Sequence, residues 1–283
     1  MTEPVPDSPS AGYRLNQGPV LPCLGLGVFQ VEPGETTRRS VRSALDAGYR
    51  HIDTAKLYGN EADVGEAVRE SGVPRGEVFV TTKLWHTDHG FDAAQAAFRA
   101  SLGRLNLGYI DLYLIHWPTA PSPELRRDSW RALERIQTQG LSRAIGVSNY
   151  SVRHLEELRE HSDVVPAVNQ VEMHPFVYDP DLLGYCARHG IRVEAYSPLT
   201  RGRQIGHPLF AEVARAHGRS PAQVLIRWGL QHGLVELPRS IREDRIRENA
   251  RVFDFSLTSE EMTRLDGLRG GPRVTVWNPA DIP

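Results

Sequence analysis

The sequence predicts an α/β protein folded as a (β/α)8 barrel of the TIM-barrel class, with an N-terminal hairpin and a C-terminal extra helix and tail. Eight short apolar segments alternate with eight amphipathic segments of helical length, and apolar strands of this kind are covered on both faces, as in a parallel sheet. The chain has 283 residues, close to the roughly 250 typical of this barrel. The count of eight units favours a closed barrel over an open, doubly wound sheet, and the lack of a linker-like stretch between them favours a single domain.

The elements follow one another along the chain in a regular order. Residues 1–12 are polar and contain prolines, so we expect a disordered tail, followed by a single domain over residues 13–283 that opens with a hairpin at Tyr13–Cys23. The predicted strands are Leu24–Phe29, Arg50–Asp53, Val78–Lys83, Ile110–His116, Ala144–Ser148, Ala167–Glu172, Arg192–Tyr196 and Leu234–Leu237. The predicted barrel helices are Thr36–Ala47, Glu61–Glu70, Ala93–Leu105, Ser129–Gln139, Val152–Glu160, Pro180–His189, Ala222–Gln231 and Asp244–Val252. The residues after Glu260 lie outside this pattern and form the extra helix and tail.

Composition and charge exclude several classes of protein. Lys plus Arg number 33 against 35 Asp plus Glu, whereas a nucleic-acid-binding protein usually has a clustered basic surface. No stretch of about 18 apolar residues occurs that would span a membrane, and the N-terminus lacks the apolar segment of a secretory signal. Cys23 and Cys186 form no disulfide framework and no CxxC pair. A cytoplasmic protein is therefore expected.

Polar residues collect at the ends of the predicted strands, where (β/α)8 enzymes place their chemistry. Asp53, Lys83 and His116 each end a strand, and Tyr58 follows Asp53 in the adjoining loop. Taken singly, each has an ordinary explanation, such as a surface lysine or a hydrogen-bonded core histidine. Polar groups inside a barrel are costly unless they are paired, so the convergence of an acid, an amine, an imidazole and a phenol favours a functional site.

These four residues suit proton donation to a carbonyl group. A tyrosine hydroxyl has a pKa near 10 and is a poor acid at neutral pH, but a neighbouring ammonium group stabilises the phenolate and lowers that pKa. An aspartate would keep the lysine charged, and an imidazole would orient the carbonyl or help relay the proton. General-acid assistance of this kind contributes roughly 10²–10⁴ in rate, so a further driving force is needed, for which a hydride donor is the natural source.

Two other chemistries fit the sequence less well. A metal site is possible in principle, given His51, His86, His89, His116 and His174, but the chain has no HExxH motif and no tight Cys/His group. We therefore predict no metal. A Rossmann nucleotide site is also disfavoured, because Gly25-Leu26-Gly27 lacks the third glycine of the fingerprint and is not followed promptly by a helix.

Eight motifs together resemble the aldo-keto reductase superfamily, over about residues 15–268. They are GLGVFQ (25–30), GYRHIDTAKLYGNE (48–61), TTKLW (81–85), DLYLIHWP (111–118), AIGVSNY (144–150), NQVEMHP (169–175), AYSPL (195–199) and RSIREDRIREN (239–249). GLGVFQ and the short tail are similar to bacterial reductases that act on 2,5-diketo-D-gluconate and related small dicarbonyls. The resemblance implies NADPH-dependent reduction of aldehyde or ketone carbonyls, such as a small dicarbonyl, a keto-sugar or an aromatic aldehyde, by a monomer.

The resemblance also implies roles for individual residues. The catalytic tetrad falls on Asp53, Tyr58, Lys83 and His116, with Tyr58 as the acid. The residues implied to hold the cofactor are Ser148, Asn149 and Gln170 at the nicotinamide amide, Tyr196 stacked on its ring, Ser197 and Leu199 at the pyrophosphate, and Arg239, Ser240, Arg245, Glu248 and Asn249 at the 2′-phosphate and adenine. The substrate pocket would be formed by Phe29, Leu57, Trp85, Trp117 and Trp277. The short, proline-rich loop after Trp117 and the short tail suggest an open pocket with a broad substrate range.

Two positions depart from the family pattern. Arg239 stands where lysine is most common, and since arginine also binds phosphate, a preference for NADP(H) is expected to survive, with NAD(H) as a weaker alternative. Glu236 stands where an apolar residue is usual. It is interpreted either as a side chain that reaches solvent at the edge of the barrel, which we favour, or as a changed charge near the adenosine site.

Two other functional classes stay open at this point. The chain could be a cofactor-binding regulatory or sensor subunit of the same fold with little turnover, although the intact tetrad speaks against it. It could also be a barrel enzyme of another reaction, such as a metal hydrolase. Activity that requires NADPH and survives a chelator would exclude the hydrolase.

Overall fold

The computed structural model describes residues 4–282 and confirms the (β/α)8 barrel. The strands of the barrel are β3 (Gly25–Gly27), β4 (His51–Asp53), β5 (Phe79–Leu84), β6 (Ile110–Ile115), β7 (Ser142–Ser148), β8 (Val168–Glu172), β9 (Arg192–Tyr196) and β10 (Val235–Leu237), preceded by β1 (Gly12–Arg14) and β2 (Val20–Pro22). The helices are α1 (Glu35–Asp46), α2 (Glu61–Glu70), α3 (Phe91–Leu105), α4 (Pro123–Thr138), α5 (Val152–Arg159), α6 (Pro180–Arg188), α7 (Pro208–His217), α8 (Pro221–Gln231), α9 (Glu243–Asn249) and α10 (Ser259–Asp266).

The sheet is parallel and closes on itself. Its strands pair in chain order from β3 to β10, and the last strand meets the first, where the amide of Glu236 donates to the carbonyl of Cys23 at 2.8 Å. Across the same seam, the amide of Gly27 donates to the carbonyl of Pro238 at 3.1 Å. All eight strands therefore end at one rim, which brings the polar strand ends of the sequence into one place.

The predicted hairpin is present, as β1 pairs with β2 in antiparallel register. It lies at the N-terminal end of the barrel, where Gln17 Nε2 donates to the carbonyl of Val165 at 2.8 Å. We expected a disordered tail over residues 1–12, but the last residues of this segment are ordered. The carbonyl of Ala11 accepts a hydrogen bond from the amide of Cys23 at 2.9 Å, and the structure begins its first strand at Gly12. Residues 1–3 of that expected tail lie outside the described residues.

Two helices differ from the sequence prediction. Helix α4 begins at Pro123 instead of Ser129, because Ser122 caps it by accepting a hydrogen bond from the amide of Leu125 and proline occupies the first turn. The loop after Trp117 is therefore shorter than the sequence suggested. Helix α7 was not predicted at all, although His207 followed by Pro208 gives it a similar start.

Glu236 corrects a sequence-based interpretation. We expected its side chain to reach solvent at the edge of the barrel, but it is fully buried. The carboxyl group points away from the barrel interior toward α8, where a Cβ atom placed on Gly229 would lie 1.6 Å from Oε1. Glycine at position 229 is therefore what leaves space for this carboxyl group. Burial raises the pKa of Glu236 well above its usual value.

No helix in the described part of the chain is long and apolar enough to cross a membrane.

Candidate active site

A buried ion pair lies at the centre of the rim. Lys83, at the end of β5, directs its Nζ at both carboxylate oxygens of Asp53 on β4, each at 2.7 Å. The same ammonium group donates to the carbonyl of Thr54 at 2.9 Å. Lys83 is fully buried and Asp53 nearly so. Each charge is costly to bury alone, so the pair fixes both groups in one geometry.

Tyr58 lies beside this pair. A short 3-10 turn over Lys56–Tyr58 presents its side chain, with the hydroxyl oxygen 3.5 Å from Lys83 Nζ. The expectation that the ammonium group would lower the pKa of Tyr58 is wrong for this structure. Burial and the negative charge of Asp53 raise that pKa well above its usual value, and the positive charge of Arg201 only partly offsets them. The phenol therefore carries its proton at neutral pH.

His116 faces Tyr58 from the end of β6. The ring centroids of the two residues are 5.8 Å apart, at a steep angle. Burial lowers the pKa of His116 well below 6.5, with a further contribution from the charge of Lys83. The imidazole is therefore neutral, and its Nδ1 has no hydrogen-bond partner among the described residues. A neutral imidazole can exchange a hydrogen bond with a carbonyl oxygen through a ring nitrogen that faces the pocket.

The residues expected at the nicotinamide amide lie together at the ends of β7 to β9. Tyr196 donates its hydroxyl to Oδ1 of Asn149 at 2.8 Å, and Ser148 donates to the carbonyl of Gln170 at 2.7 Å. Asn149 has a φ of 64°, an unfavourable conformation for a residue other than glycine that is enriched at functional sites. The structure brings these four residues together on one side of the Asp53–Lys83 pair.

The next expected cofactor residues follow β9 in a loop with unusual backbone angles. Ser197, Thr200 and Arg201 have φ values between 50° and 54°, while Leu199 precedes a short 3-10 turn. The guanidinium group of Arg201 lies 5.2 Å from the ring centroid of Phe29. The loop therefore reaches back over the rim toward Tyr58.

The expected 2′-phosphate and adenine residues lie across the seam of the barrel, after β10 and on α9. Arg239 and Arg245 are exposed, and Arg245 makes no ion pair within residues 4–282. Arg239 donates from Nη2 to the carbonyl of Gln30 at 2.7 Å, which places it beside the loop that follows β3. Ser240 and Glu248 are half-buried and Asn249 is buried.

Four of the five expected pocket residues form a chain of aromatic contacts around the tetrad. Phe29 contacts Tyr58 with ring centroids 5.0 Å apart, and Trp85 contacts His116 at 5.1 Å. Trp117 contacts Trp277 of the C-terminal tail at 5.3 Å. The fifth residue, Leu57, is 45% exposed next to Tyr58, and its place in the pocket stays a prediction.

The sequence reasoning missed the function of two buried glutamates at the rim. Glu172 accepts hydrogen bonds from the amides of Val274 and Thr275, at 2.6 and 3.2 Å, and from the hydroxyl group of Thr275. Glu194 accepts from Nε2 of Gln170 at 2.8 Å. The available signal was their spacing, since each lies two residues from a residue already assigned to the rim, on the same face of its strand.

Within residues 4–282, no group of three or more His, Cys, Asp or Glu side chains is placed to hold a metal ion.

The fold and the arrangement of the tetrad define an oxidoreductase of the aldo/keto reductase type. The model of the aldo/keto reductase family matches residues 23–207 and 204–269. The chain belongs to this family, and it is an oxidoreductase that acts on carbonyl groups.

Characterised relatives are similar over nearly their whole length. The glyoxal reductase of Bacillus subtilis is 47% identical over 270 residues, which is 95% of this chain and 97% of that protein. The 9,11-endoperoxide prostaglandin H2 reductase of Trypanosoma cruzi is 48% identical over 257 residues, 90% of each chain. Among solved structures, a Bombyx mori aldo-keto reductase in complex with NADP aligns with a TM-score of 0.88 and 35% identity, over 96% of this chain and 97% of that one.

Proposed function

We propose that the protein reduces small aldehydes and ketones with NADPH, and that Tyr58 donates the proton. The observation that carries the proposal is the Tyr58 hydroxyl 3.5 Å from Lys83 Nζ, whose other hydrogen bonds go to both oxygens of Asp53 and to the carbonyl of Thr54. A phenol that is protonated at neutral pH and faces a neutral imidazole is suited to donate a hydrogen bond to a carbonyl oxygen, and then its proton.

The residues at the rim fit a nicotinamide cofactor. Asn149 has a strained backbone conformation, and its amide oxygen accepts a hydrogen bond from the hydroxyl group of Tyr196. This bond leaves the face of the Tyr196 ring, at the centre of the rim, available to stack on a nicotinamide ring. Exposed arginines at 239 and 245 lie on the adjoining side, where a 2′-phosphate would be bound by guanidinium groups. The bound cofactor would supply the hydride.

Each member of the tetrad has a distinct task. Tyr58 gives its proton to the oxygen of the carbonyl group as negative charge develops there. The ammonium group of Lys83 stabilises the phenolate that remains, and Asp53 holds Lys83 in place. His116 orients the carbonyl through its ring nitrogen. Phe29, Trp85, Trp117 and Trp277 would exclude water around the reacting centre and favour a substrate of modest size.

The substrates we propose are small dicarbonyls, keto-sugars and aromatic aldehydes. The aromatic contacts from Phe29 to Trp277 support a compact pocket, and the similarity to a glyoxal reductase supports dicarbonyls as the first compounds to test. A reducing compartment such as the cytoplasm is proposed because Cys23 and Cys186 are both buried free thiols. The expectation of a monomer stays a prediction.

The Tyr58→Phe variant tests the proposed acid. It should lose at least about 100-fold in kcat for methylglyoxal, because it lacks the donated proton, while its Kd for NADPH stays within about twofold of that of the unmodified protein. The quenching of tryptophan fluorescence by NADPH gives the Kd, and NADPH absorbance gives the rate.

The matched control is Tyr150→Phe. Tyr150 is also buried, and its hydroxyl has no hydrogen-bond partner among the described residues, so the loss of that hydroxyl should leave kcat unchanged. Undiminished turnover in Tyr58→Phe would overturn the assignment of the acid. Tight NADPH binding by the unmodified protein without turnover on a broad carbonyl panel would instead favour a regulatory subunit.

A further inference from the structure

A buried polar cluster continues from the tetrad into the interior of the barrel. Nε2 of Gln170 lies 2.8 Å from Oδ2 of Asp53 and 2.8 Å from Oε2 of Glu194. One amide group therefore joins the aspartate that holds Lys83 to a second carboxyl group one layer deeper. We call Asp53, Gln170 and Glu194 the inner cluster; all three are buried.

Glu194 is enclosed by strands on both sides. The titratable and charged groups that face it are His51 and Asp53 on β4 and Lys83 on β5. His51 Nε2 lies 3.8 Å from Oε1 of Glu194 and makes its hydrogen bond to Thr81 at 3.0 Å instead. On β10, Val235 is the residue in register with Glu194, and the carboxyl group of Glu236 points to the opposite side of that strand, against α8.

The position of His51 is fixed by the glycine beside it. A Cβ atom on Gly25 would lie 2.7 Å from Nδ1 of His51, so the imidazole fills the space that a side chain at position 25 would take. Burial lowers the pKa of His51 to about 3, and the ring is therefore neutral. His51 thus offers Glu194 no compensating charge.

The charge of the inner cluster depends on the protonation of Glu194. Burial and the charge of Asp53 raise the pKa of Glu194 to about 8. At neutral pH the cluster holds one carboxylate, on Asp53, which balances the ammonium group of Lys83. When Glu194 loses its proton, two carboxylates share the Gln170 amide against a single cation, and the region below Tyr58 becomes negatively charged.

We propose that Glu194 is a positioning residue for the proposed reduction: it holds Asp53 through Gln170, and its loss of a proton makes Tyr58 a weaker acid. The proposal rests on the proposed function, because it assigns Tyr58 as the acid. A negative charge near a phenol disfavours the phenolate, so ionised Glu194 raises the pH at which Tyr58 loses its proton. In the oxidative direction, where Tyr58 must accept a proton from an alcohol, the same charge moves the onset of activity to higher pH.

The Glu194→Gln variant tests the proposal. Glutamine keeps an oxygen that accepts from Gln170 and nearly the same volume, but it does not titrate. In profiles of kcat/KM against pH, we expect the alkaline pKa to fall by about one unit in both reaction directions, while KM for NADPH stays within about twofold at pH 7. Glu236→Gln is the matched control, since it removes another fully buried carboxyl group that faces away from the cluster, and its profile should coincide with that of the unmodified protein.

A second measurement does not depend on the folding of Glu194→Gln or on turnover. The measurement uses the Glu236→Leu variant, so that the buried carboxyl group of Glu236 does not contribute to the spectrum. The infrared carbonyl stretch of protonated Glu194 should then be present at pH 7 and disappear between about pH 7 and pH 9, as Glu194 ionises. Coincident pH profiles for Glu194→Gln and the unmodified enzyme, or the lack of such a band, would overturn the proposal while leaving the proposed function intact. A failure of the unmodified protein to reduce any carbonyl with NADPH would overturn the proposed function itself.

Discussion

At the scale of single residues, Glu236 is an unusual component of the core. Its two carboxylate oxygens have no hydrogen-bond partner among the described residues, and it lies between β10 and α8 beside Gly229. An unpaired polar group in such a place costs about 1–3 kcal/mol. Since the cost depends on polarity and not on shape, replacement by an apolar residue of similar size should stabilise the protein.

We predict that Glu236→Leu raises the free energy of unfolding by about 1–3 kcal/mol at pH 7, measured by urea denaturation. Glu236→Gln keeps the length of the side chain and its polarity, so its gain should be smaller. A leucine variant less stable than the unmodified protein at pH 7 would mean that the carboxyl group has a stabilising partner.

The pH dependence of this gain follows from the direction of the pKa shift. Burial raises the pKa of Glu236 in the folded protein, whereas in the unfolded chain it titrates near its ordinary value of 4.5. Below pH 4.5 the group is protonated in both states. Above it, the unfolded state releases a proton and the folded state does not, so Glu236 reduces stability as pH rises. The advantage of Glu236→Leu over the unmodified protein should therefore grow between about pH 5 and pH 8.

For single residues, the sequence predicts which strand ends meet, but it does not predict contacts that depend on another element. Asp53, Lys83 and His116 were predicted to meet because the ends of parallel strands share one rim, and the structure brings them together. The burial of Glu236 was not predictable, because the space for it comes from Gly229 on another element. The two-residue spacing of Glu194 from Tyr196 predicts which face of its strand it occupies, but its connection to Asp53 through Gln170 crosses three strands and has no signal in the sequence.

At the scale of elements, the C-terminal tail is held by the end of β8. Glu172 accepts hydrogen bonds from Val274, Thr275 and His174. Burial acts to raise the pKa of Glu172, but the hydrogen bonds from His174, Thr275 and Val274 outweigh it and lower that pKa to about 2. An ionised acceptor therefore anchors the tail just before Trp277, which contacts Trp117 in the proposed pocket.

We predict that Glu172→Gln loosens this attachment. A neutral amide is a weaker acceptor than a carboxylate, so Trp277 should leave the pocket wall more often. KM for an aromatic aldehyde should then rise about 3- to 10-fold, while kcat/KM for methylglyoxal, which is too small to need that wall, changes little. Thr275→Val removes one of the donors and should show a smaller rise. Equal KM values for the aromatic aldehyde in all three proteins would show that the tail does not shape the pocket.

The starts of the eight predicted barrel helices agree with the structure to within two residues, except at α4. Helix α8 begins at Pro221, one residue before the predicted start at Ala222, and Ser220 forms a capping box with Gln223. Helix α4 begins at Pro123, six residues before the predicted start at Ser129, after a cap at Ser122. Both starts have a serine cap followed by proline, but at α4 the third helical residue is Leu125, which cannot complete a capping box, so the signal in the sequence is weaker there.

At the scale of the whole molecule, the proposed cofactor site spans the seam that closes the barrel. The nicotinamide residues lie at the ends of β7 to β9, and Arg239 lies after β10, where it contacts the carbonyl of Gln30 beyond β3. A ligand that bridges these parts connects the first strand of the barrel to the last. Its binding should therefore stabilise the barrel as one cooperative unit.

We predict that NADPH at about 100 times its Kd stabilises the folded protein by about 2.7 kcal/mol, which raises Tm by roughly 5–10 °C for a domain of this size. NADH lacks the 2′-phosphate and should give a smaller rise at the same concentration. In Arg239→Ala the shift with NADPH should fall much more than the shift with NADH, because only NADPH carries the phosphate that this guanidinium group would bind. Arg247→Ala is the control, since Arg247 is an exposed arginine of α9 already paired with Glu243, and it should retain the difference. Differential scanning fluorimetry measures all six combinations of protein and cofactor. Equal shifts in the unmodified protein would place the phosphate contact elsewhere, and no shift with either cofactor would overturn the proposed cofactor site.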